Sequence, residues 1–445
     1  MLGFRLDTAS IAIAATAFVA LGALAVSAQD TSGSTVTCDV SEYLDSTTNE
    51  CVNYSSRGEK AGNAYDTTID SGNTAWMLMS SALVMLMTPG VAFFYAGLAG
   101  EDMASNTMMM SFVSMAMVSI QFFAFGYSAC FSSDGIFAWA GYNNVGAVAS
   151  GTYGGSIPHI LFAFFQTQFA TITPALISGG LVGRMKFGSY LLFILLWTSI
   201  VYDPLARWMW SLKLDENWEV TAMGWEGKMG ALDFAGGTVI HVSSGFGALV
   251  AAIVVGKRYN HGEPVKPHNV PLVMIGATLL WFGWFGFNAG SQGAADGIAA
   301  IAAINTHLAP CAGFLTWSAL EFAFHKNFDP CGAISGAVAG LVAITPGCAF
   351  VYPWAACVAA SYSAVVTFLI LMALKYTVGL RVSEEKEVNG MDVSYHGGQA
   401  YDYSAHGGLS SPTVKAANPP AGDFMSMMTP AQPNGIRVNH TASEL

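Results

Sequence analysis

The chain has 445 residues, of which 53% are hydrophobic and 10% charged, with a formal net charge of -12. A soluble domain carries about 25% charged residues, so an ordinary water-soluble globule is excluded. The acidic excess lies largely in the polar ends, and no basic cluster or aromatic-basic groove points to nucleic acid. The short alternating segments of a membrane β-barrel are absent as well, which leaves a polytopic helical membrane protein.

Residues 1–28 read as a secretory signal peptide. Arg5 precedes the apolar run Ile11 to Val26, and Val26-Ser27-Ala28 has the small residues of a cleavage site. The rival reading is an uncleaved first span, for which the run is short. Residues 29–74 form a polar segment, expected outside the cell. Its Cys38 and Cys51 are candidates for one small disulfide loop in an oxidising compartment, and Asn53-Tyr54-Ser55 is a glycosylation sequon.

Nine apolar runs follow, each near the ~20 residues that cross a bilayer as a helix. They are Ala75–Leu98, Thr107–Phe131, Ile157–Val182, Ser189–Trp210, Leu232–Gly256, Val270–Ala289, Ile298–Phe324, Gly332–Val351 and Pro353–Val378. Basic residues alternate between them. Arg184 and Lys186 follow the third run, Lys257, Arg258 and Lys266 the fifth, Lys326 the seventh, and Lys375 and Arg381 the last. The positive-inside rule makes these connections cytosolic, with the N-terminus outside. Arg207, Lys213 and Lys228, read as lying on an outer loop, are exceptions, offset by Asp215, Glu216, Glu219 and Glu226. Residues 381–445 read as a polar cytosolic tail, partly disordered.

The fifth run carries the most informative residue. From Asp233 to Arg258 the chain reads D-F-A-G-G-T-V-I-H-V-S-S-G-F-G-A-L-V-A-A-I-V-V-G-K-R. Counted as helix from Asp233, His241 lies roughly 12 Å along the axis, near membrane depth. An ionisable group there faces a bundle interior or a polar path. A histidine satisfied by a polar neighbour in a packed helix is the equal alternative.

Aromatic residues gather elsewhere. Phe165 and Phe169 are four apart on one helical face, and Trp208 and Trp210 end the fourth run. Trp281 to Ser291 combines aromatic residues, glycines and a hydroxyl. An aromatic cup attracts a small cation by about 0.5–2 kcal/mol per ring. Against that stand interfacial tryptophan anchors and ordinary packing.

Taken together, M-T-P-G-V-A-F-F-Y-A-G-L, V-Y-D-P-L-A-R-W-M-W, D-F-A-G-G-T-V-I-H, G-W-F-G-F-N-A-G-S, G-A-V-A-G-L-V-A-I-T-P and G-L-R-V-S-E-E-K-E resemble the ammonium transporter (Amt/Mep/Rh) family, from about Trp76 to Tyr403. The resemblance implies an all-α membrane helical bundle with inverted repeats, assembled as a homotrimer or as a heterotrimer with related subunits. It implies ammonium or ammonia as the partner within a lipid bilayer, no cofactor and no metal. Phe165, Phe169, Trp210 and Ser291 match the outer ammonium-recruiting site. Phe169 and Phe287 match the rings that gate the pore. His241 matches the first pore histidine, Trp284 a residue packed beside it, and Asp233 a structural aspartate at a helix end.

The sequence departs from the family in one place. No D-x-F-x-x-H-G pattern supplies the second pore histidine. The ninth run begins at Tyr352-Pro353-Trp354-Ala355, and by Ala359–Ser363 it reads like the family's last span. About two spans read as missing, so nine are expected instead of eleven, with residues 75–380 as the membrane domain and the second repeat incomplete. Ammonium transport is the leading expectation. A non-conducting sensor or regulatory subunit is the alternative, because the second histidine is absent. An enzyme built on His241 and Ser291 lacks a recognisable nucleophile motif.

Overall fold

In the computed structural model, the described residues are 42–45, 50–53 and 69–377, apart from 134, 151, 154, 215–219 and 259–266. The signal segment, Cys38 of the candidate disulfide, the end of the sequon and the tail 381–445 lie outside them. Each of the nine apolar runs is helical. Among the described residues, eight helices are long and apolar enough to cross a membrane: α1 (Ser71–Leu98), α2 (Glu101–Phe131), α3 (His159–Gly180), α4 (Phe187–Trp210), α5 (Gly237–Val255), α6 (Val270–Gly290), α7 (Gly297–His325) and α8 (Pro330–Gly347). The last helix, α9 (Pro353–Thr377), contributes a shorter apolar stretch, Pro353–Thr367. Among the described residues, strands form two small antiparallel pairs. Glu42–Asp45 pairs with Glu50–Asn53, and Leu212–Leu214 pairs with Val220–Met223.

Polar side chains set where the helices begin. The Asp70 carboxylate accepts from the Asn73 N–H at the start of α1, and Asn269 accepts from Leu272 at the start of α6. Asp296 caps α7 and Asp329 caps α8 in the same way. Each satisfies N–H groups that have no carbonyl one turn earlier.

Long-range hydrogen bonds fix which ends share a face. Asp70 N–H donates to the Ser156 carbonyl, Trp76 Nε1 to Ala289, and Trp210 Nε1 to Asp233. The starts of α1, α3 and α5 therefore lie with the ends of α4 and α6; this is the aromatic face. On the opposite face, Asn269 N–H donates to Gly97, and Arg184 donates to the carbonyls of Gly180 and Gly256. Arg207 is not a loop charge. It lies within α4 and donates to the carbonyls of Ala129 and Ser132, closing the end of α2.

Helices α1 and α6 pack backbone to backbone. A Cβ on Gly97 would sit 2.7 Å from the Val273 nitrogen, and one on Gly286 would sit 2.7 Å from the Ser80 carbonyl oxygen. Small residues at such a seam let dispersion contacts and backbone groups meet where lipid provides no hydrophobic drive.

Candidate functional site

The site is assembled from α3, α4, α5 and α6. Helix α3 supplies Phe165 and Phe169, both fully buried. Their rings meet edge-on, with centroids 4.8 Å apart, as the four-residue spacing predicts. Phe169 lies 4.4 Å from Phe287 of α6 at a 34° tilt. On its other side Phe169 meets Trp210 of α4 edge-on at 6.5 Å. Phe287 in turn stacks on His241 at 5.7 Å and 20°. His241 also stacks on Trp284 at 5.4 Å. Five of the predicted residues thus form one continuous chain of rings, Trp210–Phe169–Phe287–His241–Trp284, with Phe165 on its flank.

Local structure holds each ring in place. The carboxylate of Asp233 accepts four backbone N–H groups, from Gly236 (2.7 Å), Gly237 (2.6 Å), Thr238 (2.8 Å) and Val239 (3.2 Å). It lies just before α5 rather than in it. Gly236 turns the chain with φ of 108°, in the left-handed region that glycine adopts without a Cβ clash. The first turns of α5, Gly237–Val242, are π-helical. This corrects the sequence count. Helix starts at Gly237, so His241 is four residues in, roughly 6 Å along the axis.

Trp210 is oriented by its Nε1–H, which donates to the Asp233 carbonyl at 2.9 Å. Trp284 is oriented by Nε1–H donation to Thr345 Oγ1 at 2.9 Å. Thr345 opens the 3-10 turn Thr345–Gly347 at the end of α8. The Phe234 N–H reaches the Pro346 carbonyl of that turn, so α5, α6 and α8 converge there. Ser291 Oγ–H donates to the Phe287 carbonyl at 2.7 Å. Its proton is thereby used, and its lone pairs are left to accept. Gly290, just before it, lies against Phe165.

His241 Nε2 is buried and has no hydrogen-bond partner among the described residues. His241, with Trp284 and Phe287, lines a cavity of 230 Å³. Leu176, Ala248, Leu280 and Val338 contribute to its largely apolar wall.

Sequence reasoning missed several residues. Tyr127 Oη and His159 Nε2 are 2.7 Å apart inside an aromatic cluster with Trp139 and Phe131. Asn305 Nδ2 donates to the carbonyls of Cys348 and Val351, bracing the turn between α8 and α9. Such partners lie far apart in the chain, and no spacing signals them.

Eight apolar crossings around a buried ring stack define a multi-pass helical membrane protein. The model of the Ammonium Transporter Family matches residues 75–360 and again 355–401. Ammonium transporter 1 of Schizosaccharomyces pombe is 43% identical over 332 residues, covering 72% of this chain and 64% of the relative. The ammonium transporter of Bacillus subtilis is 45% identical over 312 residues, covering 69% and 74%. The Mycobacterium tuberculosis ammonium transporter is 34% identical over 450 residues, covering 78% of this chain and 93% of the relative. Among solved structures, Saccharomyces cerevisiae Mep2 superposes with a TM-score of 0.63 at 35% identity, covering 71% of this chain and 70% of its own. A sensor Amt protein superposes with a TM-score of 0.62 at 26% identity, covering 70% and 77%.

The chain belongs to the ammonium transporter family. It spans 64% of the length of the Schizosaccharomyces relative. The two stretches of the family match meet at residues 355–360, beside the Ala359–Ser363 junction read from the sequence. The mycobacterial alignment is longer than this chain yet covers 78% of it, so part of that relative has no counterpart here.

Proposed function

We propose that the protein is an ammonium transporter of the membrane. The observation that carries this is the continuous stack from Trp210 through Phe169 and Phe287 to His241, inside a chain of this family. Ammonium is recruited at the face lined by Trp210, Phe165 and Ser291. The ring faces attract the cation, and the Ser291 lone pairs accept a hydrogen bond from it. Phe169 and Phe287 form the gate below. A bare cation at that depth is costly in an apolar passage, so ammonium sheds its proton and passes as ammonia along His241. Asp233 is structural, and Trp284 supports the histidine.

The aromatic face is outside and the tail cytosolic, in accordance with the basic connections. The plasma membrane is the expected location, and the assembly is a homotrimer or a heterotrimer with related subunits. An enzyme reading finds no support in the serines near His241. Ser243 Oγ donates to the Val239 carbonyl, and Ser244 Oγ to the His241 carbonyl.

One observation favours a second reading, a non-conducting sensor or regulatory subunit. The His241 Nε2 is unpartnered among the described residues, and the family match divides at residues 355–360, where the sequence departs from the family pattern. One similar solved structure is named a sensor Amt protein. Sealed liposomes holding the purified full chain separate the readings. Transport predicts uptake of labelled ammonium down its gradient, above protein-free liposomes. Verified insertion without uptake favours the regulatory role.

A further inference from the structure

We infer that the cavity behind His241 is a binding site for a small neutral azole, of which imidazole is the simplest. This goes beyond the transport reading and holds whether or not the chain conducts.

Size comes first. The cavity measures 230 Å³. An apolar cavity of about 150 Å³ holds benzene, whereas a water takes about 30 Å³. The space therefore exceeds what ammonia needs and suits a five-membered ring. Chemistry comes second. The wall is largely apolar, from Leu176, Ala248, Leu280 and Val338, so a charged guest is disfavoured. Its polar exceptions are Tyr95, Ser244 and His241; the two hydroxyls donate to the Leu176 and His241 carbonyls, whereas His241 carries a buried Nε2 with no partner among the described residues. A buried polar atom left unpaired costs free energy that a guest with one hydrogen-bonding edge recovers. Imidazole carries both an N–H donor and a nitrogen acceptor, so it satisfies Nε2 in either tautomer. The aromatic neighbours of His241, Trp284 and Phe287, also border the cavity and offer faces to a flat ring.

The test uses the purified full chain in lipid nanodiscs, with imidazole as the probe and the pH kept well above its titration range. Binding is read by saturation-transfer NMR. The unmodified chain is expected to bind imidazole saturably. His241→Phe keeps a ring and removes the nitrogen, and should weaken imidazole at least tenfold. Gly245→Leu should do the same by filling the cavity. Gly245 lines it, and a Cβ there meets no atom within 4 Å, so the α5 backbone accepts the change. Toluene, of similar size without a polar edge, should bind more weakly than imidazole and be indifferent to His241→Phe.

Three results overturn the inference: no saturable imidazole binding to the unmodified chain, undiminished binding to either variant, or toluene binding as tightly as imidazole. The last would mark a greasy void filled by lipid tails. If His241→Phe does not fold, Gly245→Leu and the toluene comparison decide.

Discussion

Helices α3 and α5 are both apolar crossings, and both carry part of the ring stack. In α3, 78% of the apolar window is buried, whereas in α5 the figure is 17%. α3 is walled by α1, α2 and α5, and its Phe165 and Phe169 close on neighbours from two other helices. α5 is held firmly at its start, by Asp233 and the turn at Thr345–Gly347, and then presents Phe246, Ile253 and Val254 outward. The same contrast runs through the site. On the α3 side Phe165 and Phe169 both have ring partners. On the α5 side the one titratable group has a bare nitrogen and a cavity beside it. Hydropathy therefore identifies a crossing but not its partner, because a lipid-facing face and a face awaiting another helix have the same composition.

Breaking the anchored end of α5 carries the largest expected effect. Asp233→Ala leaves four N–H groups without an acceptor and should destabilise the fold by about 3 kcal/mol or more. Asp233→Asn should recover part of this, because its amide oxygen still accepts. Thermal unfolding in detergent measures both. A pair of identical substitutions then sharpens the comparison. Ile177 of α3 is fully buried and Ile253 of α5 is 69% exposed. Ile177→Ala should cost about 2 kcal/mol through lost packing. Ile253→Ala should stay within about 0.5 kcal/mol, as surface changes do. Equal losses would mean that α5 is covered in the assembled protein.

The smallest effect contrasts two carboxylate caps. Asp296, at the start of α7, is exposed, and its carboxyl is held below the usual range, first by the Ala299 N–H and then by Gln292. A depressed carboxyl stabilises the fold above its ordinary titration range and loses that contribution as pH falls through its folded value. Asp296→Asn should therefore flatten a slight acid-side loss in unfolding temperature while leaving neutral stability nearly unchanged.

Much of this was legible in the sequence. Apolar length located the eight helices long enough to cross and the shorter ninth, and the four-residue spacing of Phe165 and Phe169 placed both on one face. Family motifs named Phe287, Trp284 and Ser291. The start of α5 was legible only in part: the resemblance marks Asp233 as a structural aspartate at a helix end, but an apolar run does not show that Gly236 turns the chain and that helix begins at Gly237. Arg207 looked like a misplaced loop charge because its acceptors, Ala129 and Ser132, come from another helix. The Tyr127–His159 pair and the Trp284–Thr345 bond were hidden for the same reason. Sequence periodicity reports one helix at a time, and these contacts belong to two.

The most direct measurement is the concentration dependence of labelled ammonium uptake into liposomes carrying the full chain or Trp210→Leu. The account predicts saturable uptake by the full chain. It predicts that the half-saturating concentration rises roughly 2- to 30-fold in the variant, the range of one lost cation–π contact. Uptake with the same concentration dependence in both would contradict the recruiting site, and no uptake from either would contradict transport itself.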